Sequence, residues 1–103
     1  MKLKVLAYLK LATDEVLAVP SLKEYYDFIG YFLEGLAVVK LNDQYGFIDK
    51  TYKEVVPLKY DSVGYFSDGL AAVLLKGKFG FVDKTGREYW NTTKVEALEQ
   101  MQP

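Results

Sequence analysis

The sequence predicts an all-β fold of antiparallel β-hairpin repeats, followed by a short C-terminal helix. Three observations lead to it. First, the stretch FSDGLAAVLLKGKFGFVDKTGREYW, from Phe66 to Trp90, aligns without a gap on FLEGLAVVKLNDQYGFIDKTYKEVV, which starts at Phe32, so the offset is 66 − 32 = 34 residues. A fixed internal period of this size marks a repeat architecture. Second, each copy holds short apolar runs bounded by turn residues, which is how strands and hairpins read in sequence. Third, nine tyrosines and six phenylalanines among 103 residues favour strands.

The length suits one domain, divided by the repeat into residues 1–25, 26–59, 60–90 and 91–103. In the first part, Leu3 to Leu11 and Val16 to Val19 are strand-like, with a turn at Ala12-Thr13-Asp14-Glu15 and a stop at Pro20-Ser21. Leu6-Ala7 and Lys10-Leu11 echo Leu36-Ala37 and Lys40-Leu41, so this part reads as a degenerate first repeat, as expected of an end unit. Ser21 to Phe28 is locally compatible with a helix, but the repeat argues there for a turn and a short strand.

The first full repeat, 26–59, opens with the turn Glu34-Gly35 and a strand from Leu36 to Leu41. Asn42-Asp43 suits the positive φ angles of a tight hairpin turn. The return strand is Tyr45 to Asp49, and a third strand, Glu54 to Val56, is expected to end at Pro57. The second repeat, 60–90, has strands at 70–75 and 79–83, with Lys76-Gly77 and Thr85-Gly86 as turns. Glycine has no steric cost at positive φ. Tyr52 stands where the second repeat has Gly86, which predicts a mildly strained turn or a different one. In 91–103, Thr93 and Glu96 have the spacing of a capping box, and Val95, Leu98 and Met101 predict the packed side of a helix from Lys94 to Met101.

Alternation along the strands yields two faces per hairpin. With Lys76-Gly77 as the turn, Ala71, Val73, Gly80 and Val82 form a small-residue face. Leu70, Ala72, Leu74, Phe79 and Phe81 form an aromatic one. The first repeat gives Ala37, Val39 and Ile48 against Leu36, Val38, Tyr45 and Phe47. Gly80 opposite Val73 predicts a close approach to the sheet. A lone hairpin with two apolar faces is unstable in water, so one face must pack on the neighbouring repeat and the other on something else.

The combination of a phenylalanine, two residues and Gly-Leu-Ala, then aromatic-Gly-aromatic, then Asp-Lys-Thr resembles the bacterial WG-repeat family. The Trp-Gly of that family corresponds to Tyr45-Gly46 and Phe79-Gly80. The trailing Glu54-Val55-Val56 and Tyr60-Asp61 are also similar to it, and the resemblance covers about two-thirds of the chain. It departs from the pattern at Tyr52 and before residue 26. The resemblance implies an all-β array of antiparallel hairpins, no catalytic activity, and a role in protein–protein contact.

Composition narrows function further. A net charge of −1 lacks the basic excess of a nucleic-acid binder. With neither cysteine nor histidine, disulfides, Cys/His zinc sites and a Ser-His-Asp triad are excluded. The apolar run Val5 to Leu9 breaks at Lys10, which argues against a signal peptide, and no stretch is long enough to span a membrane. A cytoplasmic location is the resulting expectation. Asp49 and Asp83, Glu54 and Glu88, and Tyr26-Asp27 and Tyr60-Asp61 recur at equivalent positions. A carboxylate repeated in this way reads as a turn or register residue before it reads as a catalytic or calcium ligand. Gly77-Lys78-Phe79-Gly80 lacks phosphate-loop spacing.

The aromatics remain as binding candidates: Tyr45, Tyr52, Phe79, Tyr89 and Trp90, the single tryptophan. The functional expectation is a non-enzymatic module that binds a protein partner or a second copy of itself, with no cofactor and no metal. The alternative is a small-ligand or glycan binder that uses the aromatic face. A deep pocket with convergent polar groups would favour the ligand, and a flat apolar patch the protein partner.

Overall fold

The computed structural model describes residues 22–102. The expected degenerate N-terminal repeat, including the strands expected at Leu3 to Leu11 and Val16 to Val19, lies outside the described residues apart from its last few positions. A helical turn, α1 (Leu22–Tyr25), comes first, then β1 (Phe28–Leu33), β2 (Leu36–Leu41), β3 (Gln44–Asp49), β4 (Glu54–Tyr60) and β5 (Ser62–Val63). They are followed by β6 (Leu70–Leu75), β7 (Lys78–Asp83), β8 (Glu88–Trp90) and α2 (Lys94–Met101). The stretch 21–28 therefore divides: the local helical preference prevails over four residues, and the strand expected from the repeat starts at Phe28.

The strands form two antiparallel four-stranded sheets, ordered β1-β2-β3-β4 and β5-β6-β7-β8. Two-residue turns with both φ angles positive set the registers. These are Glu34-Gly35 (54° and 85°), Asn42-Asp43 (53° and 65°), Asp68-Gly69 (56° and 81°) and Lys76-Gly77 (51° and 82°). That backbone matches the right-handed twist of the flanking strands. The pairs Leu75–Lys78, Val73–Gly80 and Ala71–Val82 form as the turn dictates.

Asp27 and Asp61 hold the β2–β3 and β6–β7 turns from outside. Their Oδ2 atoms accept from the Asn42 N–H at 3.0 Å and the Lys76 N–H at 2.8 Å. Asp49 and Asp83 do the same for the next turns, accepting from the N–H and hydroxyl of Thr51 and Thr85 and from the N–H of Lys53 and Arg87. Tyr52 closes its turn as Gly86 does, through an N–H bond to the Asp49 carbonyl at 2.9 Å, and sits at φ 70°. The turn is kept, and Tyr52 carries the left-handed strain.

Two expectations are corrected, on Pro57 and on the packed side of α2, and that on Gly80 gains its partner. Pro57 does not end the third strand. β4 runs on to Tyr60, because it is an edge strand with a register shift between Tyr45 and Phe47, and a proline that cannot donate is tolerated there. Gly80 lies opposite Val73 as expected, and the close approach predicted there is made by β8. A Cβ on Gly80 would strike the Trp90 ring and lie 2.6 Å from the Tyr89 carbonyl oxygen. The packed residue of α2 is Ala97, fully buried, with Leu98 half-buried, while Val95 is 65% and Met101 36% exposed. A short helix crossing a sheet at close range seats its smallest side chain. The capping box is present: Thr93 Oγ1 accepts from the Glu96 N–H at 3.1 Å and the Glu96 carboxylate from the Thr93 N–H at 3.1 Å.

The sheets stack by unlike faces. Leu36, Val38, Phe47, Val56 and Tyr60 from the aromatic face of the first sheet meet Phe66, Ala71, Val73 and Val82 from the small-residue face of the second. Phe47 and Phe66 meet edge to face at 4.6 Å. The small-residue face of the first sheet forms its own cluster, Ala37, Val39 and Ile48 with Tyr26. Among the described residues no helix is long and apolar enough to cross a membrane.

Candidate interaction surface

Because the stacking is unlike face on unlike face, the second sheet ends the described array with its aromatic face outward. Register places Leu74 level with Ser62 and Phe79, and Ala72 level with Phe81. Gly64 joins them, since a Cβ on it would lie 3.8 Å from the Ala72 Cβ. Phe79 is 72% exposed. The equivalent face of the first sheet is covered by the second, and there Tyr45, the counterpart of Phe79, is half-buried against the inter-sheet core.

α2 covers one end of this face. Ala97 packs with Leu70 and Tyr89, and Phe81 and Leu98 close over them. A carboxylate at the turn marks the same replacement. Glu34 in the first repeat accepts from the N–H groups of Asp68 and Gly69 at 2.8 and 2.9 Å, clamping the next layer to the previous one. Hydrogen bonding from Gly69 is the largest influence on its carboxyl, which lies below the usual range. Asp68, its counterpart, instead takes the Lys94 ammonium of α2 at 3.1 Å. The helix thus stands where the next layer would begin, and leaves Ala72, Leu74 and Phe79 uncovered.

An open depression of about 240 Å³ lies beside α2, lined by Asp83, Lys84, Arg87, Tyr89 and Met101 among others. Its polar groups are engaged with one another. The Asp83 carboxylate accepts three bonds on Oδ1 and the Tyr89 hydroxyl on Oδ2 at 2.7 Å. Burial would raise the Asp83 pKa, but these bonds outweigh it and hold the carboxyl below its usual range. Arg87 lies over the Tyr89 ring at 5.0 Å, and Lys84 is 3.6 Å from Glu34.

The repeated Tyr–Glu pairs are also internal fastenings. The Tyr26 hydroxyl donates to Glu54 at 3.0 Å and the Tyr60 hydroxyl to Glu88. Burial, and then the adjacent carboxylate, push both phenols well above the ordinary tyrosine range. Glu88 is held low, chiefly by Lys59 at 2.8 Å. Among the described residues no three acidic side chains are placed to hold a metal ion.

The five aromatics singled out in the sequence are not brought together. Tyr45 and Trp90 pack half-buried on the inter-sheet core, Trp90 donating to Glu88 at 3.3 Å. Tyr89 is 3% exposed beneath α2. Tyr52 is half exposed on its turn, and Phe79 alone of the five lies on the open sheet face. Sequence reasoning placed Ala72 and Leu74 on the face of Phe79, as the register has them, and missed Ser62 and Gly64 as its further neighbours. The signal was present at the offset of 34, where Phe28, Lys40 and Tyr45 become Ser62, Leu74 and Phe79.

A family model described as WG containing repeat matches residues 25–45 and 45–79. No curated protein and no solved structure matches the chain.

Proposed function

The chain belongs to the WG-repeat family, and from that premise we propose that it is a non-enzymatic interaction module that holds a protein partner on the outer face of its second sheet. The observation that carries the reading is Phe79, 72% exposed at the position whose counterpart, Tyr45, is packed inside the array. Stacking on this type of face already binds the two sheets to each other, so the surface is suited to another apolar one. Large exposed aromatics in an apolar patch are typical of contact sites. The small-ligand or glycan alternative draws less support, because the polar groups lining the depression bond to one another rather than converge on its space.

The test is capture on the immobilised chain from a lysate of the source organism, with Phe79→Ser in parallel. The expected result is a specific protein retained by the natural chain and lost by the variant. Equal retention by both, or no specific retention, refutes the reading.

A further inference from the structure

We infer that α2 is a detachable strap, which leaves the second sheet and unwinds as one unit while the strands stay folded, and which when docked withholds one end of the open face from a partner. The withholding rests on the interaction-module reading; the detachment does not. Two observations lead there.

The first is where α2 sits. The first sheet holds the second through Leu36 and Phe47, which are buried in the inter-sheet core, and through the Glu34 carboxylate, which takes the N–H groups of Asp68 and Gly69. At the offset of 34 these positions become Leu70, Phe81 and Asp68. α2 engages all three. Leu70 and Phe81 pack with Ala97 and Leu98, and Asp68 takes the Lys94 ammonium. The helix therefore occupies, within the same chain, the groups through which one layer takes hold of the next. A partner that covers the face from end to end must displace it.

The second is how little holds it. Ala97 is its one fully buried residue, and Val95, Glu96, Glu99 and Gln100 are exposed. Among the described residues, every hydrogen bond between α2 and the second sheet or its turns comes from Lys94, at 3.1 Å to Asp68 Oδ2 and 3.4 Å to Ser67 Oγ. An ion pair at the surface is weak and screened by salt. The bonds that start the helix, among Thr92, Thr93 and Glu96, are its own, so no strand contributes to them. Asn91, at φ 56°, is the joint with β8. Asparagine visits the left-handed region more readily than most residues, and hinges are built from a few such positions at the ends of elements. A segment with few buried apolar contacts and solvent-exposed backbone bonds opens at a lower free energy than the whole domain. Eight helical residues do not persist free in water, so undocking and unwinding are one event.

Native-state hydrogen exchange of the full chain, read by mass spectrometry, tests this. Residues 94–101 are expected to exchange together, at least about tenfold faster than β6 and β7. Lys94→Met keeps the stem and loses the charge, and should speed exchange of α2 about two- to fivefold while leaving β6 and β7 unchanged. Added salt should speed α2 in the natural chain but not in the variant. Exchange of α2 no faster than that of β6 and β7 overturns the strap. So does an acceleration by Lys94→Met that spreads equally to the strands. The withholding is read by capture with the same variant. Apparent affinity scales with the fraction of open molecules, so Lys94→Met should retain about two- to fivefold more of the Phe79-dependent protein than the natural chain does. Equal retention overturns the withholding and leaves the module reading standing. If no Phe79-dependent capture is found, the module reading falls and the withholding with it, while exchange still decides the detachment.

Discussion

Replacing Gly80 by alanine adds a single methyl group at the tightest point of the second sheet. That Cβ would collide with the Trp90 ring, 2.9 Å from its Cδ2, and lie 2.6 Å from the Tyr89 carbonyl oxygen. The ring can swing, but the carbonyl belongs to the β7–β8 ladder and moves only with it. Overpacking of this kind costs roughly 1–3 kcal/mol, and a backbone neighbour puts Gly80→Ala near the top of that range. Gly77→Ala is the internal control. Its Cβ would have nothing within 4 Å, and the cost there is conformational, with φ at +82°. An alanine in that region costs roughly 1–2 kcal/mol. The gain from restricting the unfolded chain is common to both substitutions and cancels. For a domain of this size each kcal/mol shifts Tm by about 4–8 °C. Gly80→Ala should therefore melt about 5–15 °C below Gly77→Ala. Thermal unfolding followed by circular dichroism measures the difference. Emission from Trp90, the single tryptophan, reports whether the ring has been displaced. Equal melting temperatures would show that β8 gives way freely, and would refute the view that Gly80 exists to admit Trp90.

Stability should be highest on a plateau with two limbs of different origin. The Asp83 and Glu88 carboxyls lie below their ordinary range when folded, so their contribution is present above that range and lost as pH falls through the lowered values. The Tyr26 and Tyr60 phenols lie above theirs, so their contribution is present below about pH 10 and lost as pH rises further. A Tm-against-pH profile checks both limbs: Asp83→Asn should lower the plateau and flatten the acid limb, and an unaltered limb would refute the assignment. Thr93→Ala removes the cap of α2 at a cost of about 1 kcal/mol, read as faster hydrogen exchange of the Ala97 amide, which donates to the Thr93 carbonyl; unchanged exchange counts against the cap. Tyr52→Gly, which gives the first repeat the residue of the second, should raise stability by up to about 1 kcal/mol by relieving the positive φ, and a lower Tm would mean that the tyrosine side chain stabilises more than its backbone costs. Truncation after Asn91 uncovers Leu70 and Tyr89, and should lower Tm and promote association; a chain that keeps its stability without the tail removes the capping role of the helix.

The sequence by itself determined the local architecture. The 34-residue offset, Asn42-Asp43 and Lys76-Gly77 at the turns, and the recurrent Asp49 and Asp83 specify where strands begin, pair and end, because turn geometry and side-chain alternation are local properties of the chain. Thr93 and Glu96 likewise specified the start of α2. What only the tertiary structure decided is which of the two apolar faces of each hairpin packs against the other repeat. Alternation separates Val73 from Leu74 and Val39 from Val38, but all four are apolar, so hydrophobicity does not rank them. The choice is made by Phe47 meeting Phe66, a contact between side chains in different repeats. Trp90 and Tyr89 were unreadable for a related reason. β8 pairs with β7 without the shift found between β4 and β3, so Trp90 turns toward the inter-sheet core and Tyr89 toward α2, where their counterparts Val56 and Val55 follow a shifted register. A one-residue change of register exchanges the faces of a strand, and it depends on packing across the sheet rather than on the residues of the strand itself.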